Sequence, residues 1–300
     1  MNSNFNFITM KAIIKTLKSL TCLALIICSA SCETDVSDDI NLASSPPKLV
    51  IDGGLERNIV SPVTEQKIRL TTTNNFLSDE PNPIISDAIV NVTDGTTIWD
   101  FNHQGNGIYS NADIDLQLNT NYTITIEWNG ETYQGIDTLN QVPSFDDFYT
   151  VFEEETIFSP GGYFLKFDST DPVGIENYYY NRLFRNGEFL ISPDPGNAQN
   201  LITSDEFFDG QQRTNVDING EIGFEIGETA TGQQLGVSKE YFDYLFELFT
   251  QTGNTEISFG GNPPPATIRS NVINTTTPSN RAVGFFYVVD IEENTLIVTE

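Results

Sequence analysis

The chain has 300 residues, of which 42 are acidic and 14 are basic, so its formal net charge is −28. A surface of this charge repels the phosphate backbone, and nucleic acid is therefore excluded as a partner. All three cysteines lie within the first 32 residues. A chain cleaved there keeps no thiol for a disulfide, a thiolate metal site or a cysteine nucleophile.

The first 31 residues are predicted to be a signal peptide. Three lysines precede the apolar run "SLTCLALIICSA" at residues 19–30. This run is too short for a membrane-spanning helix, which needs about 20 apolar residues. A positive segment, an apolar segment and small residues at a cleavage point are instead typical of a secretory signal.

Small residues directly before Cys32 form a bacterial lipoprotein box, so Cys32 is the predicted lipidation site. A triacylated cysteine is enough for stable attachment to a membrane. The alternative is cleavage by an ordinary signal peptidase, without a lipid. Residues 32–47 are polar and acidic and end in Pro46-Pro47, which predicts a flexible tether between the lipid and the folded body.

From Lys48 onward the pattern is typical of β-strands. In "QKIRLTTT", Ile68 and Leu70 alternate with polar residues, as in a half-buried strand. Asn-Gly pairs at 129–130, 186–187 and 219–220 each predict a hairpin, because a type I′ turn needs two residues that tolerate positive φ. The final stretch, "RAVGFFYVVDIEENTLIV", is apolar on both strand faces and is expected to lie centrally in a sheet.

The predicted fold class is therefore mainly β, with two β-sandwich-like domains of immunoglobulin or transthyretin type. The first is predicted at residues 48–142 and the second at 143–300, with the boundary near Pro143, where the strand pattern breaks.

One helix is predicted at residues 238–252, within the second domain. Ser238 is its expected N-cap, and Gly253 follows its end. An aromatic and aliphatic stripe at helical spacing is expected to pack on the sheet; it comprises Tyr241, Phe242, Leu245, Phe246 and Phe249.

The sequence does not favour an enzyme. His103 is the single histidine and lies in a turn entering a strand, which disfavours a Ser-His-Asp triad. There is no Gly-x-Ser-x-Gly elbow, Walker loop or dinucleotide-binding motif. A carboxylate pair of the glycan-hydrolase type remains an alternative, because the separation of two carboxylates is not visible in sequence.

No cofactor is expected, with calcium as the alternative. Hard cations prefer carboxylate and carbonyl oxygens. The candidates are Asp113 and Asp115 in "NADID" and Asp168 and Asp171 in "DSTDP", all near predicted turns. Ordinary solvated turns are the preferred interpretation.

Three consecutive tyrosines, Tyr178, Tyr179 and Tyr180, are predicted to lie on a strand, with Tyr178 and Tyr180 on one face and Tyr179 on the other. Ordinary sheet packing is the preferred interpretation. The alternative is a stacking platform for a sugar or peptide. A partner interface would use either these tyrosines or the loop at residues 261–265.

An ordered set of motifs resembles an uncharacterised family of Bacteroidota outer-membrane lipoproteins. The motifs are "PPKLVIDGGL", "PISDAIVNVTDG", "GNGIYS" and "TYQGIDTLNQVPSFD", then "DPVGIENYYY", "SDEFFDGQ", "SKEYFDYLFEL", "PPPATIRSNV" and "RAVGFFYV". Members of that family are often encoded beside TonB-dependent transporters. The segment "ISDAIVNVTDG … GNGIYS" is also similar to transthyretin-like sandwich domains, which implies fold only.

The resemblance implies an outer-membrane, lipid-anchored protein, exposed on the cell surface if the acidic residues after Cys32 act as an export signal. The expected function is an accessory or ligand-capture component of a TonB-dependent transporter. A free-standing structural or adhesive surface lipoprotein is the alternative.

Overall fold

The computed structural model describes residues 46–75, 78, 80–157, 161–191, 198, 200–252 and 268–300. The predicted signal peptide, Cys32, most of the tether and the loop at 261–265 lie outside these residues. Within the described ranges, no helix is long and apolar enough to cross a membrane.

Sixteen strands and one helix form in the described ranges. Before Pro143 these are β1 (Leu49–Asn58), β2 (Gln66–Thr72), β3 (Ile89–Thr93), β4 (Ile98–Gly105), β5 (Ile108–Asn111), β6 (Asn121–Trp128) and β7 (Glu131–Thr138). After it come β8 (Phe145–Glu153), β9 (Gly162–Thr170), β10 (Tyr178–Arg185), β11 (Glu188–Leu190), β12 (Ile202–Ser204), β13 (Gln212–Asp217), β14 (Thr229–Val237), α1 (Lys239–Thr252), β15 (Ile273–Asn274) and β16 (Val283–Ile297).

The described strands form two sheets. Thirteen of them form one sheet. Twelve of these follow the hydrogen-bonded order β11-β10-β14-β16-β1-β2-β5-β4-β3-β6-β7-β15, and β12 pairs with β10 beside this path. The other sheet has the order β13-β9-β8. The first half of β4 pairs with β3 and its second half with β5. This shared strand links the two parts of the long path. The mainly β, sandwich-like class predicted from sequence is confirmed.

The central pairing joins the first strand to the last. β1 and β16 run parallel, in a register from Val50 opposite Val283 to Asn58 opposite Ile291. All other pairings between the described strands are antiparallel. β16 also pairs with β14, so the prediction that this apolar strand lies centrally is confirmed.

The predicted division near Pro143 is not confirmed, because residues 46–300 form one compact unit. β1 belongs to the first predicted domain, yet it pairs with β16 of the second. The core of the first half likewise includes Val272, Ala282 and Phe286, which come from the end of the chain. The first half therefore cannot bury its apolar residues without the last strands.

The two faces of β16 serve different cores. Phe286 and Val288 face the core shared with β1, β2 and β6. Phe285, Val289 and Ile291 face a second core covered by α1. A third core, against β8, β9 and β13, contains Phe167, Leu183, Phe224 and others. Burial on both faces is what the unbroken apolar run requires.

The helix begins and packs as the sequence predicts. The Ser238 hydroxyl accepts a hydrogen bond from the Tyr241 amide at 3.1 Å, so Ser238 is the N-cap. Tyr241, Leu245 and Phe249 are buried. Phe246, which the periodicity placed in the same stripe, is instead half exposed.

The Asn-Gly turns differ in outcome. Asn129-Gly130 and Asn186-Gly187 have positive φ at both residues and close hairpins, as predicted. The prediction at Asn219-Gly220 is wrong. There β13 pairs with β9 and not with the residues after the turn, and neither turn residue has positive φ. An Asx-type bond from the Glu221 amide to the Asn219 side chain shapes this turn instead.

A cluster of charged side chains connects strands at the centre of the long sheet. Arg182 on β10 pairs with Glu56 on β1 at 2.9 Å, and the Tyr287 hydroxyl on β16 donates to the same carboxylate oxygen at 3.1 Å. On the neighbouring position of β1, Arg57 pairs with Asp290 of β16 at 2.8 Å. These contacts hold strands from both ends of the chain in one register.

Gly284 is expected to be essential for the parallel pairing of β1 and β16. It has φ +88°, and a Cβ atom there would lie 1.9 Å from the Ile51 carbonyl oxygen. Gly95 has the same φ but has nothing within 4 Å of the corresponding position. We expect Gly95→Ala to cost about 1–2 kcal/mol from backbone strain alone. Gly284→Ala should cost about 1–3 kcal/mol more, because the strands must separate.

Urea unfolding of both variants measures this difference. An equal loss in the two proteins would show that close approach of the strands does not determine the stability at Gly284.

Candidate functional site

Two loops that each connect the long sheet with the three-stranded sheet form the candidate site. The first, residues 171–177, connects β9 to β10, and the second, residues 205–211, connects β12 to β13. An aspartate of each loop accepts a hydrogen bond from a glycine amide of the other loop. The Gly174 amide donates to Asp209 at 2.6 Å, and the Gly210 amide donates to Asp171 at 3.1 Å. Both glycines have positive φ, which favours glycine at these positions. The loops therefore hold each other in place.

Three aspartates meet where the loops touch. Oxygens of Asp171, Asp205 and Asp209 lie within 4.8 Å of one another. Asp171 and Asp205 are buried, whereas Asp209 is exposed. Among the described residues, these are the side chains that could hold a divalent cation, since clustered carboxylate oxygens are what calcium prefers.

Neighbouring donors offset part of the negative charge. The buried Tyr179 hydroxyl donates to Asp171 at 2.5 Å, and the Asn177 amide donates to Asp205 at 2.9 Å. The Arg213 guanidinium lies over the rings of Tyr179 and Phe208, 5.0 and 4.6 Å from their centroids. Burial and the adjacent Asp171 carboxylate raise the pKa of Tyr179 well above its ordinary value, so it stays a donor.

The charge on the cluster is not fully balanced. Burial raises the pKa of Asp205, and the charges of Asp171 and Asp209 raise it further, against a lowering by the Asn177 amide. A ligand that brings positive charge to this point would relieve the repulsion.

A cleft of about 600 Å³ opens beside the cluster. Tyr178 and Phe242 form its aromatic wall, with ring centroids 5.1 Å apart. The acidic residues that line it are Glu176, Asp205, Glu206, Asp209 and Asp243. Among the described residues that line it, the one cation is Lys239, which pairs with Asp243 at 2.7 Å. The cleft thus combines aromatic faces with excess negative charge, which suits a cationic ligand.

Exposed apolar side chains stand on the same loops. Val173 and Ile175 are 80% and 57% exposed, and Phe207 is 84% exposed. Three large apolar side chains on adjoining loop tips are typical of a contact surface for another macromolecule.

Of the calcium candidates from sequence, the structure brings only Asp171 into this cluster. Asp168 instead accepts hydrogen bonds from the Tyr149 hydroxyl and the Asn215 amide. Asp113 and Asp115 are exposed on the segment after β5, where Asp115 accepts from the Gln117 side chain. They do not form a shared site with Asp171.

The three tyrosines do not form one exposed surface. They alternate between faces as predicted, but Tyr179 is fully buried and Tyr180 is 6% exposed beneath α1. Tyr178 alone reaches the cleft, where its hydroxyl donates to Glu176. This hydrogen bond, together with burial and the charges of nearby carboxylates, raises the pKa of Tyr178 to about 12.

Sequence reasoning missed Asp205 and Asp209, although both lie in the motif "SDEFFDGQ". Together with "DPVGIENYYY", this motif supplies both loops of the site. His103, the single histidine, lies on β4 against Tyr109, with ring centroids 5.2 Å apart.

A comparison with protein families matches residues 33–295 to a domain of unknown function, DUF4249. The chain belongs to the DUF4249 family. A search of the curated proteins finds no match. The DUF4249 match spans both loops of the candidate site and all sixteen strands except the last two residues of β16.

We expect Asp205→Asn to change how stability depends on pH. Because the native pKa of Asp205 is raised, the folded chain holds this proton more tightly than the unfolded chain does. That contribution to stability is present below the unfolded pKa, about 3.9, and is lost as pH rises through the native value. Asp205→Asn has no carboxyl group at this position, so its stability does not fall in this way as pH rises.

Urea unfolding at several pH values from 4.5 to 7.5 (roughly the window in which folded carboxyl groups titrate) measures the effect. The stability of Asp205→Asn relative to wild type should increase with pH. Asp115→Asn, an exposed aspartate that makes the same change in net charge, is the control. A difference for Asp205→Asn that stays constant with pH would contradict the argument.

Proposed function

We propose that this DUF4249 protein is a lipid-anchored lipoprotein of the outer membrane that captures ligand for a TonB-dependent transporter. The single observation that carries the capture role is the cleft beside Asp205 and Asp209. Its volume lies within the range of small-molecule sites, and its aromatic and acidic lining favours a cation.

The ligand class follows from the balance of charge. The described lining of the cleft has five carboxylates and one lysine, and that lysine is already paired with Asp243. The faces of Tyr178 and Phe242 attract a cation through their ring electrons. We therefore propose a small cationic ligand, with calcium at the three aspartates as the simplest case.

The anchor supports a role beside a membrane barrel. The predicted lipid on Cys32 and the tether of residues 32–47 would hold the folded unit near any transporter in the same membrane. Tethering raises the effective concentration of one module near another, so a weak contact is enough. On this proposal the protein faces the cell surface, as the acidic tether suggests.

The transporter contact is proposed at the loop tips. Val173, Ile175 and Phe207 are exposed apolar side chains surrounded by carboxylates, and interfaces typically place apolar anchors inside a polar rim. A ligand bound in the cleft would then lie beside the contact surface.

The alternatives are a structural or adhesive surface lipoprotein without a transporter and a carboxylate-based glycan hydrolase. We propose that the chain is not an enzyme. Turnover of a glycan that is abolished in Asp205→Asn or Asp209→Asn, with the fold intact, would overturn this part of the proposal.

We expect Cys32→Ala to release the protein from the membrane. The variant cannot carry a lipid on this residue, and the described residues contain no helix that spans a bilayer. Cell fractionation should recover the wild type with membranes and the variant in the soluble fraction. Equal distribution of the two proteins would exclude Cys32 as the anchor.

We expect the tagged protein, purified from its own outer membrane in a mild detergent, to bring a transporter barrel with it in stoichiometric amount. Phe207→Ser should lose most of the barrel, because it removes the most exposed apolar side chain of the two loops. Ile98→Ser is the control, since Ile98 is 68% exposed on β4 and lies outside both loops.

Mass spectrometry of the recovered proteins decides between the roles. Recovery of the lipoprotein alone, together with unchanged nutrient uptake in a deletion strain, would overturn the transporter role.

A further inference from the structure

A second cavity, of about 360 Å³, lies away from the acidic cleft. It is lined by Lys48, which precedes β1, by residues around β15, and by Arg281 to Val283 at the start of β16. We call it the basic pocket and define it by Lys48, Arg269, Asn274 and Arg281. Its volume is within the range of small-ligand sites.

The charge of the basic pocket is opposite to that of the whole chain. Lys48, Arg269 and Arg281 line it, and none of the described residues that line it is acidic. Among the described residues, none of these three cations forms an ion pair. Arg269 also borders a neighbouring cleft that contains Glu240, Asp243 and Glu247. Three cations around one cavity are unexpected in a chain with 42 acidic residues and 14 basic ones.

The remaining wall is apolar. Val272 and Ala282 are buried at its base, and Ile273 is 62% exposed at its edge. A ligand that fills the pocket therefore needs an apolar body as well as a charge.

The walls are held in place before any ligand arrives. The Asn271 side chain bonds both the amide and the carbonyl of Phe286 on β16, at 3.0 and 2.7 Å, and also donates to the Ile136 carbonyl at 3.0 Å. The Lys48 amide donates to the Thr73 hydroxyl at 3.0 Å. Because the segments are already ordered, binding loses little conformational entropy.

Asn274 helps to order the wall of the pocket. It is 2% exposed and lines the pocket. Its Oδ1 atom accepts hydrogen bonds from the Thr276 and Thr277 amides at 3.0 and 2.7 Å. Its side chain also interacts through hydrogen bonding with the Glu131 carboxylate and the Tyr133 hydroxyl. These contacts hold the residues after β15 in place before a ligand binds.

The net charge of the chain does not prevent this binding. At physiological salt, charges farther away than the Debye length of about 8 Å are largely screened. The cations lining the pocket therefore determine the local potential, and an anion that reaches the pocket meets arginine donors suited to phosphate or carboxylate.

We propose that the basic pocket binds a small anion carried on an apolar body, an alkyl phosphate or an aliphatic carboxylate. The guanidinium groups of Arg269 and Arg281 and the ammonium of Lys48 bind the anion. The apolar part lies against Val272, Ile273 and Ala282. This site is separate from the acidic cleft and does not depend on the function proposed for it.

Calorimetric titration of the full chain with hexyl phosphate tests the proposal, with every protein in the same buffer and non-ionic detergent. Wild type should bind hexyl phosphate more tightly than inorganic phosphate or hexanol, since each of those offers only half of the contacts. Arg281→Gln and Arg269→Gln should each weaken binding by about tenfold, as expected when a charge-assisted hydrogen bond is lost.

Arg69→Gln is the matched control. Arg69 lines a different cleft, also lacks an ion pair among the described residues, and its replacement makes the same change in net charge. Its affinity for hexyl phosphate should equal that of wild type. Ile273→Asn tests the apolar wall, and it should reduce binding of hexyl phosphate while leaving that of inorganic phosphate unchanged.

Three results would overturn the proposal: no binding by wild type, unchanged binding by both arginine variants, or equal weakening by Arg69→Gln. Competition by phosphatidylglycerol vesicles would identify a lipid headgroup as the source of the anion. Failure of the vesicles to compete would identify a free amphiphile as the source. Both sources offer an anion on an apolar body, so either result agrees with the proposal.

Discussion

The parallel pairing of β1 with β16 is the constraint on which the rest of the structure depends. It joins residues about 230 positions apart and places β16 between β14 and β1, where both of its faces are buried. A close backbone approach at Gly54 and Gly284 makes the pairing possible. The Arg57–Asp290 ion pair and the hydrogen bond from Tyr287 to Glu56 then hold the two strands in register. Each of the three cores described above contains residues of β1, of β16 or of β14, which pairs with β16.

The same strand pair positions both candidate sites. α1 packs on β16 through Tyr241, and its first turn presents Lys239, Phe242 and Asp243 to the acidic cleft. The basic pocket lies at the starts of β1 and β16, where Lys48 and Arg281 precede the two strands. One rigid sheet thus carries two cavities of opposite charge. Cavities of opposite charge favour different ligands, so the two can be tested independently.

Local patterns predicted much of the fold, because they report on neighbours in sequence. Alternation identified the strands, and the Ser238 cap and the apolar stripe identified α1. Partners distant in sequence leave no such pattern. The chain passes from the long sheet to the three-stranded sheet near Pro143, but β1 before this point pairs with β16 after it, so the two predicted domains form one compact unit. The Asn219-Gly220 prediction failed because a side-chain bond competes with the hairpin there. Of the three clustered aspartates, the sequence indicated only Asp171 as a candidate ligand. Asp205 and Asp209 are brought beside it by the pairing of β12 with β10, which is not visible in sequence.

The order of the strands also has a consequence for how the chain is made. β1 is the first strand to leave the ribosome, and its parallel partner β16 is the last. Until β16 arrives, β1 has only β2 beside it, and the core of the first half lacks Phe286 and Val288. A growing chain therefore cannot close its central sheet, and non-local pairing of this kind is slow to form. If the chain is exported as proposed, this delay would keep it open for passage through the membrane until β16 has been synthesised.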